Sequence, residues 1–599
     1  MNAKKILKRE EVPVEFTWKL EDVFGSEDKW FEAYEYLKAL PEKIGSYKGR
    51  LSESAETLLG FFRLQDEIST KFTQVAGYAS CRGDEDTANN KYIDLKGKAG
   101  MLGAALSGAS SFATPEIIAI PEERLNAFYA ECPALEEYRR ELYSTRRAAA
   151  HTLSPECENL LARSGEMSAA PGVVSGIFRN ADLKFPDVTD ADGTAHKLTN
   201  STLVPLLESP DPAFRKRVFD AYYGRLGEYV NTISALMDAQ FKKLRFYSEV
   251  RGYPGTLAAA LDRNEVPEEV YHNLIQAVND NLDKMHRYVS IRKKMLGLDE
   301  LHMSDVYVPM VEGASAEISF EQAKETVIDA LGILGEDYTD LLKEGFSNRW
   351  IDVYENEGKR SGAYSTFLSS PHPYVLLNHK DNLDSMFTLA HEMGHALHSY
   401  HSHKYQPIST SQYVIFVAEV ASTCNEILLM KYLLKKTTDK KERAYLINHF
   451  LDQFKGTVYR QTMFAEFELF MGEMSESGNT LTADLLCGKY LELNKRYFGE
   501  DMISDEGISL EWARIPHFFT TYYVYQYATG FSAAAAIADR ILREGAPAVA
   551  DYKKFLSSGG SSDPISLLKI AGVDMSSPKP VNDALALFGE LLDEMETLC

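Results

Sequence analysis

Residues 383–400 read LDSMFTLAHEMGHALHSY, and this stretch decides how the rest of the chain is interpreted. His391 and His395 are four residues apart within it. On a helix, this spacing places both imidazoles on one face, close enough to bind a single ion. Asn382 and its neighbours are typical of a helix start, and apolar residues recur between the polar ones. The stretch therefore predicts a helix that carries two metal ligands.

Glu392 follows the first histidine directly. At that position its carboxylate is placed to reach a water molecule beside the metal and not the metal itself. This is the arrangement of a general base in a metallopeptidase. We therefore predict Glu392 to be catalytic.

A third ligand is expected from the next helix, because two histidines alone do not complete a zinc site. Residues 413–426 read YVIFVAEVASTCNE and predict a helix that continues to Leu434. Glu419 is a lone acid in an apolar run, and burying an unpaired carboxylate is costly unless a metal satisfies it. Glu426 lies two turns further along the same face. It is expected either to orient a zinc-binding imidazole or to form an ordinary salt bridge.

Three more histidines, His398, His401 and His403, crowd the end of the first helix. A fourth protein ligand would close the coordination position that catalysis needs. We therefore interpret all three as structural or solvent-facing.

Away from the metal motif, most of the chain shows the three- and four-residue apolar spacing of helices that pack on one face. The clearest such segments are residues 30–37, 58–72, 92–107, 211–246 and 268–295. The sequence predicts a mainly α protein.

Strand-like runs are short. Two of them flank Asp192-Gly193, a pair that favours a hairpin turn. Further runs cover residues 350–354, 363–368 and 374–377, so we expect a small β-sheet beside the metal helix. Residues 374–378 are predicted to form either an exposed edge that a peptide substrate joins or a purely structural edge strand. The turn at 358–362 is a candidate mobile loop.

The length of 599 residues exceeds the roughly 250–300 residues at which one hydrophobic core stops growing. Two or more lobes are expected. We predict an N-terminal helical domain at 1–200, which ends in the hairpin, and a zincin-type catalytic domain at 201–599.

The formal charge of −24 comes from 64 basic and 88 acidic side chains. Such a surface repels nucleic acids and anionic membranes, so neither is expected as a partner. No apolar stretch predicts a signal peptide or a membrane span. The six cysteines, at 81, 132, 157, 424, 487 and 599, form no CxxC pair and are expected to be free thiols in a reducing compartment. A cytoplasmic protein is predicted.

Residues 387–399 (FTLAHEMGHALHS) and 416–422 (FVAEVAS) resemble the thimet oligopeptidase family of zinc metallopeptidases, and within it the bacterial oligoendopeptidase F group. Residues 251–253 (RGY), 260–271 (ALDRNEVPEEVY) and 358–364 (GKRSGAY) are also similar to that group. The resemblance extends over nearly the whole chain. It implies a two-lobed helical fold with a deep active-site channel and short peptides as substrates.

The resemblance also implies roles for individual residues. Its zinc ligands fall on His391, His395 and Glu419, and its general base falls on Glu392, which agrees with the assignment made from spacing. The family uses a histidine and tyrosines of a late helix to bind substrate and to stabilise the oxyanion. Residues 514–530 read RIPHFFTTYYVYQYATG. They offer His517 and Tyr527 for this role, with Tyr522 and Tyr525 as rival substrate-binding tyrosines, although any of these rings can instead pack in a core.

The sequence thus predicts a zinc-dependent oligoendopeptidase that hydrolyses internal bonds of short, unstructured peptides. Two alternatives remain open. One is a metallocarboxypeptidase or dipeptidase on a similar scaffold, and the other is a non-catalytic peptide-binding protein. The cleavage preference and the oligomeric state are not defined by the sequence.

Overall fold

The computed structural model describes residues 6–311 and 317–598. The chain forms two compact units, each assembled from three stretches of sequence. The first unit comprises Met1–Ala150, Ser315–Leu429 and Ile537–Gly572, and the second comprises His151–Ala314, Met430–Ala536 and Val573–Cys599. The predicted division into domains at residue 200 stays a prediction, since these units are defined by contacts and not by activity.

The fold is mainly α-helical, as predicted, with 26 α-helices among the described residues. The first half of the chain contains α1 (Glu27–Lys38), α2 (Leu40–Gly45), α3 (Ala55–Glu85), α4 (Asn90–Ser110), α5 (Ala113–Ala119), α6 (Glu122–Glu131), α7 (Arg139–Arg147), α8 (Pro155–Ser168), α9 (Ala170–Ile177), α10 (Leu203–Leu207), α11 (Pro212–Gly227), α12 (Val230–Val250) and α13 (Thr256–Asp262). The second half contains α14 (Glu268–Asn279), α15 (Leu282–Met295), α16 (Phe320–Leu331), α17 (Glu336–Ser347), α18 (Leu383–Tyr405), α19 (Ile415–Lys436), α20 (Lys440–Phe454), α21 (Arg460–Glu476), α22 (Ala483–Phe498), α23 (Tyr525–Glu544), α24 (Ala546–Leu556), α25 (Pro564–Ile570) and α26 (Lys579–Leu598).

The strands are few and short. β1 (Val188–Thr189) and β2 (Ala195–His196) form the predicted hairpin, and Gly193 supplies the left-handed φ of 85° in its turn. The other strands are β3 (Leu301–His302), β4 (Ile351–Asp352), β5 (Tyr364–Phe367), β6 (Pro373–Leu376) and β7 (Met502–Ile503). β3 pairs with β7 in parallel, and the remaining three form one sheet in the order β4-β6-β5.

The prediction that residues 374–378 form a sheet edge is wrong in both of its forms, the substrate-binding edge and the structural edge strand. β6 is the central strand, because it pairs in parallel with β4 and antiparallel with β5. All four of its residues are buried. The run PYVL carries no polar residue that would mark a solvent-facing side, which is typical of a strand covered on both faces. The edges of this sheet are β4 and β5.

The sheet separates two layers of the first unit. Tyr374 and Leu376 of β6 belong to the hydrophobic cluster built around α3, together with Trp18 and Trp30. Val375 points to the opposite face, since side chains alternate along a strand. On that face α18 packs against β5 and β6. The small sheet therefore lies beside the predicted metal helix, as expected.

α18 itself begins where the sequence predicts, because the Asn382 side chain accepts the backbone N–H of Ser385 at 2.9 Å. α18 approaches α19 closely at Gly394. A Cβ atom at Gly394 would lie 2.6 Å from Ser422 Cα and 2.8 Å from Ala421 O. No side chain fits at that distance, so the two helices reach this separation only because residue 394 is glycine. The contact fixes which α19 side chains face the α18 histidines.

The described residues agree with two further expectations. Within residues 6–311 and 317–598, no helix combines the length and the apolar character that crossing a membrane requires. The described cysteines are free thiols, namely Cys81, Cys132, Cys157, Cys424 and Cys487. Cys599 lies outside the described residues, as do residues 1–5, on which part of the signal-peptide argument rests. The cytoplasmic location stays a prediction.

Replacing Gly394 with alanine tests the helix contact. The added methyl group collides with the α19 backbone, so the helices must separate and the α19 ligand must move. We expect the zinc affinity of Gly394→Ala to fall about 10- to 100-fold, as for other changes that misplace a metal ligand. A competition titration with a chromophoric chelator measures this.

Gly97→Ala is the matched control, because Gly97 also lies in a helix of the first unit and its Cβ position has nothing within 4 Å. Its zinc affinity should equal that of the wild type. If Gly394→Ala also binds zinc with wild-type affinity, the helix separation does not set the site.

Candidate active site

Three side chains meet where α18 and α19 touch. His391 and His395 extend from α18, and Glu419 extends from α19. The two Nε2 atoms are 3.2 Å apart, and each lies 3.4 Å from Oε2 of Glu419. The predicted ligands therefore form a nearly equilateral triangle of donor atoms.

This triangle fits a metal ion. A tetrahedral ion with bonds of about 2.0–2.1 Å spaces its ligand atoms about 3.3–3.4 Å apart, which is the separation found here. Two imidazoles and one carboxylate also match the donor set of catalytic zinc sites, in which the fourth position is left for water or substrate. The geometry and the chemistry of the donors agree.

Glu419 is held in its ionised form. Burial alone would raise the pKa of its carboxyl group, but hydrogen bonds and charge from His391 and His395 outweigh burial and hold the pKa well below its usual range. The Ser422 hydroxyl donates a further hydrogen bond to Glu419 Oε2 at 3.2 Å. A carboxylate in this state is a competent metal ligand.

Glu426 contacts the other nitrogen of His391. Its Oε1 lies 2.5 Å from Nδ1. With Nδ1–H donating to Glu426, the lone pair of Nε2 is directed at the triangle, which is how carboxylates orient metal-binding histidines. Burial lowers the pKa of His391, but the charge of Glu426 and the hydrogen bond with Glu419 outweigh it and raise that pKa, so a bound cation competes with a proton here. Of the two interpretations of Glu426, the contact favours the orienting one.

Glu392 lies next to the triangle in sequence but outside it. Its side chain is 6% exposed, and its Oε2 is buried without a hydrogen-bond partner in the described part of the chain. Burial raises the pKa of this carboxyl group, which makes it a stronger base than an exposed glutamate. Buried polar atoms are nearly always satisfied, so an unpaired Oε2 is consistent with a role in binding a water or substrate group.

The other α18 histidines are held by packing. The His398 ring stacks on Tyr413 at 3.8 Å, and burial lowers its pKa to about 3. Burial lowers the pKa of His401 to about 4. The His403 ring stacks on Phe367 at 4.0 Å. None belongs to the triangle of described residues. The interpretation of all three as structural or solvent-facing stays a prediction, and His398 and His401 are buried.

The turn at 358–362 is anchored at its start. Lys359 Nζ is completely buried and lies 2.7 Å from Asp352 Oδ1. The backbone N–H of Thr87 donates to Gly358 O at 2.7 Å, and that of Arg360 donates to an oxygen of Asp84. These contacts fasten the turn to the end of α3. Its mobility stays a prediction.

The second unit brings together three aromatic residues from the predicted substrate segment. The ring of His517 lies 6.2 Å from that of Tyr523 and 6.0 Å from that of Tyr527, and the two tyrosine rings are 5.4 Å apart. All three side chains are half-buried. We call these residues the His517 cluster.

Tyr523 was not singled out from the sequence. It lies before α23, so no helical spacing in the sequence marked it as a neighbour of Tyr527. Burial lowers the pKa of His517, with a further contribution from the charge of Arg179, so the imidazole is neutral near neutral pH.

The two rival tyrosines are buried instead. Tyr522 shares a hydrogen bond of 2.8 Å with Thr256 Oγ1. The ring of Tyr525 packs 5.0 Å from that of Tyr271, and 1% of the residue is exposed. The substrate-binding roles of Tyr522 and Tyr525 stay predictions, as do the catalytic roles of His517 and Tyr527.

Comparison with known proteins places this arrangement in a family. The sequence model of peptidase family M3 matches residues 205–587, and the model described as oligopeptidase F matches residues 116–185. Oligopeptidase PepF of Bacillus subtilis is 44% identical over 596 residues, which are 100% of this chain and 89% of that protein. Group B oligopeptidase PepB of Streptococcus agalactiae is 38% identical over 591 residues, 98% of each chain.

A solved structure agrees with the sequence comparisons. The crystal structure of oligoendopeptidase-F from Enterococcus faecium matches with a TM-score of 0.74 at 36% identity, covering 96% of this chain and 98% of that one. The M3 match spans more than half of the chain and includes α18, α19 and the His517 cluster. This protein therefore belongs to peptidase family M3, in its oligopeptidase F group, and is a metalloendopeptidase.

Proposed function

We propose that this protein is a zinc-dependent oligoendopeptidase that hydrolyses internal bonds of short, unstructured peptides. One observation carries the proposal. The donor atoms of His391, His395 and Glu419 form a triangle with sides of 3.2, 3.4 and 3.4 Å. Glu392 directly follows His391 in the sequence; it is a buried acid, and one of its oxygens has no hydrogen-bond partner among the described residues.

Zinc is the metal that this donor set favours. Calcium and magnesium prefer all-oxygen sites, whereas two imidazoles and a carboxylate suit zinc. When bound by His391, His395 and Glu419, zinc supplies a Lewis acid that polarises the peptide carbonyl and lowers the pKa of water.

Glu392 moves the proton. Its carboxylate accepts a proton from the attacking water and then passes it to the amine that leaves, so the acid ends the cycle ionised. Burial raises its pKa toward the range in which one group accepts and donates a proton at neutral pH. Since Oε2 has no partner among the described residues, this oxygen is available for the transfer.

His517 and Tyr527 are proposed to donate hydrogen bonds to the oxyanion that forms during attack. The family resemblance and their clustering within the second unit support this role. Tyr523 joins them as a third candidate, because its ring contacts both. The oligopeptidase names of the relatives support short peptides as the substrate class.

Glu392→Gln separates metal binding from proton transfer. Because Glu392 is not part of the triangle, zinc content should be unchanged, while loss of the base should lower kcat at least about 100-fold. Asp384→Asn is the control, since it removes an exposed carboxylate from the same helix. Metal analysis and peptide kinetics measure both effects; full activity in Glu392→Gln would exclude it as the base.

Glu419→Ala tests the third ligand. Two imidazoles without the carboxylate leave the cation with too few protein ligands, so the purified variant should lack zinc. Glu426→Gln keeps all three ligands and should bind zinc about 10- to 100-fold more weakly. Zinc stoichiometry after dialysis measures both variants, and full occupancy in Glu419→Ala would show that the third ligand lies elsewhere.

Cleavage of an end-blocked, internally quenched peptide tests the activity itself. We expect internal cuts, identified by product masses, that disappear with a chelator and return with zinc. Cleavage that requires a free end would instead identify a carboxypeptidase or dipeptidase. Absence of any zinc-dependent cleavage would support a peptide-binding protein.

A further inference from the structure

Glu468 is a buried acid of α21 that the mechanism does not use. None of its surface is exposed. Its Oε1 accepts the backbone N–H of Tyr522 at 2.9 Å, and its Oε2 has no partner among the described residues. Burying a carboxyl group with one oxygen unpaired destabilises the folded state, so the presence of Glu468 here needs an explanation.

The residue that Glu468 holds is strained. Tyr522 has a φ of 60°, a left-handed conformation that residues with a side chain rarely adopt. It lies between the 3₁₀ turn Pro516–Phe519, which carries His517, and the start of α23, which carries Tyr527. Tyr523 follows it directly. The backbone at Tyr522 therefore sets how the parts of the His517 cluster are oriented.

The side chain of Tyr522 is fixed as well. Its hydroxyl donates to Thr256 Oγ1 at 2.8 Å, since that oxygen donates its own proton to Glu476 at 2.6 Å. A Cβ atom at Gly472 would lie only 2.0 Å from the Tyr522 hydroxyl. Glycine is required there for the tyrosine to fit.

These contacts share one face of α21. Glu468, Gly472 and Glu476 are spaced four residues apart, so they lie along one side of the helix. The first holds the Tyr522 backbone, the second makes room for its ring, and the third acts on its hydroxyl through Thr256. We call these three residues the α21 cradle.

We propose that Glu468 is a positioning residue of the peptidase. Through the α21 cradle it holds Tyr522 in its left-handed conformation and thereby orients the His517 cluster for its proposed hydrogen bonds to the oxyanion. This inference rests on the proposed function of that cluster. It also reassigns Tyr522 from a substrate-binding side chain to a buried anchor.

The chemistry of Glu468 suggests a conservative variant. Burial raises its pKa well above the usual range, which favours the protonated, uncharged form. Glutamine has nearly the same shape and keeps a carbonyl oxygen for the Tyr522 N–H. Alanine removes that acceptor and leaves a buried donor unpaired.

The first experiment compares Glu468→Ala with Glu468→Gln in the zinc-loaded full chain. We expect Glu468→Ala to lower kcat/KM for the quenched peptide about 10- to 100-fold without loss of zinc, because misplaced binding groups cost that much. Glu468→Gln should restore most of the activity. Equal activity of Glu468→Ala and the wild type would overturn the proposal.

A double-mutant cycle shows whether the effect passes through the cluster. In a His517→Ala background, the further loss caused by Glu468→Ala should shrink to less than about twofold, since coupled residues are not additive. If the loss stays as large as in the wild type, Glu468 acts elsewhere and the proposal fails. Asn494→Ala is the control, because Asn494 is also completely buried in the second unit but contacts Ser504 instead. Its loss should be the same in both backgrounds.

An NMR measurement that does not depend on peptidase activity tests the positioning role separately from the proposed function. In protein labelled with ¹³C-histidine, the His517 signal should shift in Glu468→Ala and not in Asn494→Ala. If the wild type cleaves no peptide, the proposed function fails, yet the shift still decides the positioning role. An unmoved His517 signal would overturn it.

If Glu468→Ala does not fold, Gly472→Ala tests the position of Tyr522 by perturbing its hydroxyl instead of its backbone. Its methyl group displaces the Tyr522 hydroxyl, so the His517 signal should shift. Adding Tyr522→Phe removes the colliding atom, and the nearest remaining ring atom would then be 3.4 Å from the new methyl group. The double variant should therefore return the signal toward that of Tyr522→Phe alone; failure to do so would contradict the cradle.

Discussion

The site depends on the backbone contact between α18 and α19 at Gly394. Helical spacing alone brings His391 and His395 together, but the third ligand comes from another helix, and a glutamate side chain is short. The Oε2 atom of Glu419 reaches 3.4 Å from both imidazoles because the helices meet at a glycine. A hydrogen bond also joins the two helices: the buried Asn425 side chain of α19 donates to Ala390 O of α18 at 3.1 Å. This contact does not depend on a metal.

The charges at this contact favour the binding of a cation. Glu392, Glu419 and Glu426 lie around two imidazoles in a largely buried region. Three carboxylates that close together repel one another, and burial adds a desolvation cost for each. A divalent ion in the triangle would compensate two of the charges, while the raised pKa of Glu392 removes part of the third. In the proposed site, this excess of acid would serve to bind the metal ion.

What could be predicted from the sequence follows from helical periodicity. His391, His395 and Glu392 could be predicted as site residues because their spacing places them together on a helix. Glu419 could be predicted because a lone acid in an apolar run needs a partner. Periodicity says nothing about which helices touch, so the role of Gly394 in α18 was invisible. The central position of β6 was missed for a related reason: strand order depends on distant pairing, although the absence of polar residues in 373–376 was a usable sign.

Helical periodicity does not predict how His517 and the tyrosines that follow it are arranged. Between His517 and Tyr527 the chain passes from a 3₁₀ turn through a left-handed residue into α23, so no single period relates the side chains on either side. A left-handed tyrosine costs roughly 1–3 kcal/mol, and such strain persists only where the surroundings determine it fully. At Tyr522 the backbone N–H and the hydroxyl both have partners, in Glu468 and Thr256. The proposed metal ligands are thus positioned by two packed helices. The His517 cluster, in contrast, is proposed to be positioned by a buried hydrogen-bond network that holds Tyr522 in its left-handed conformation.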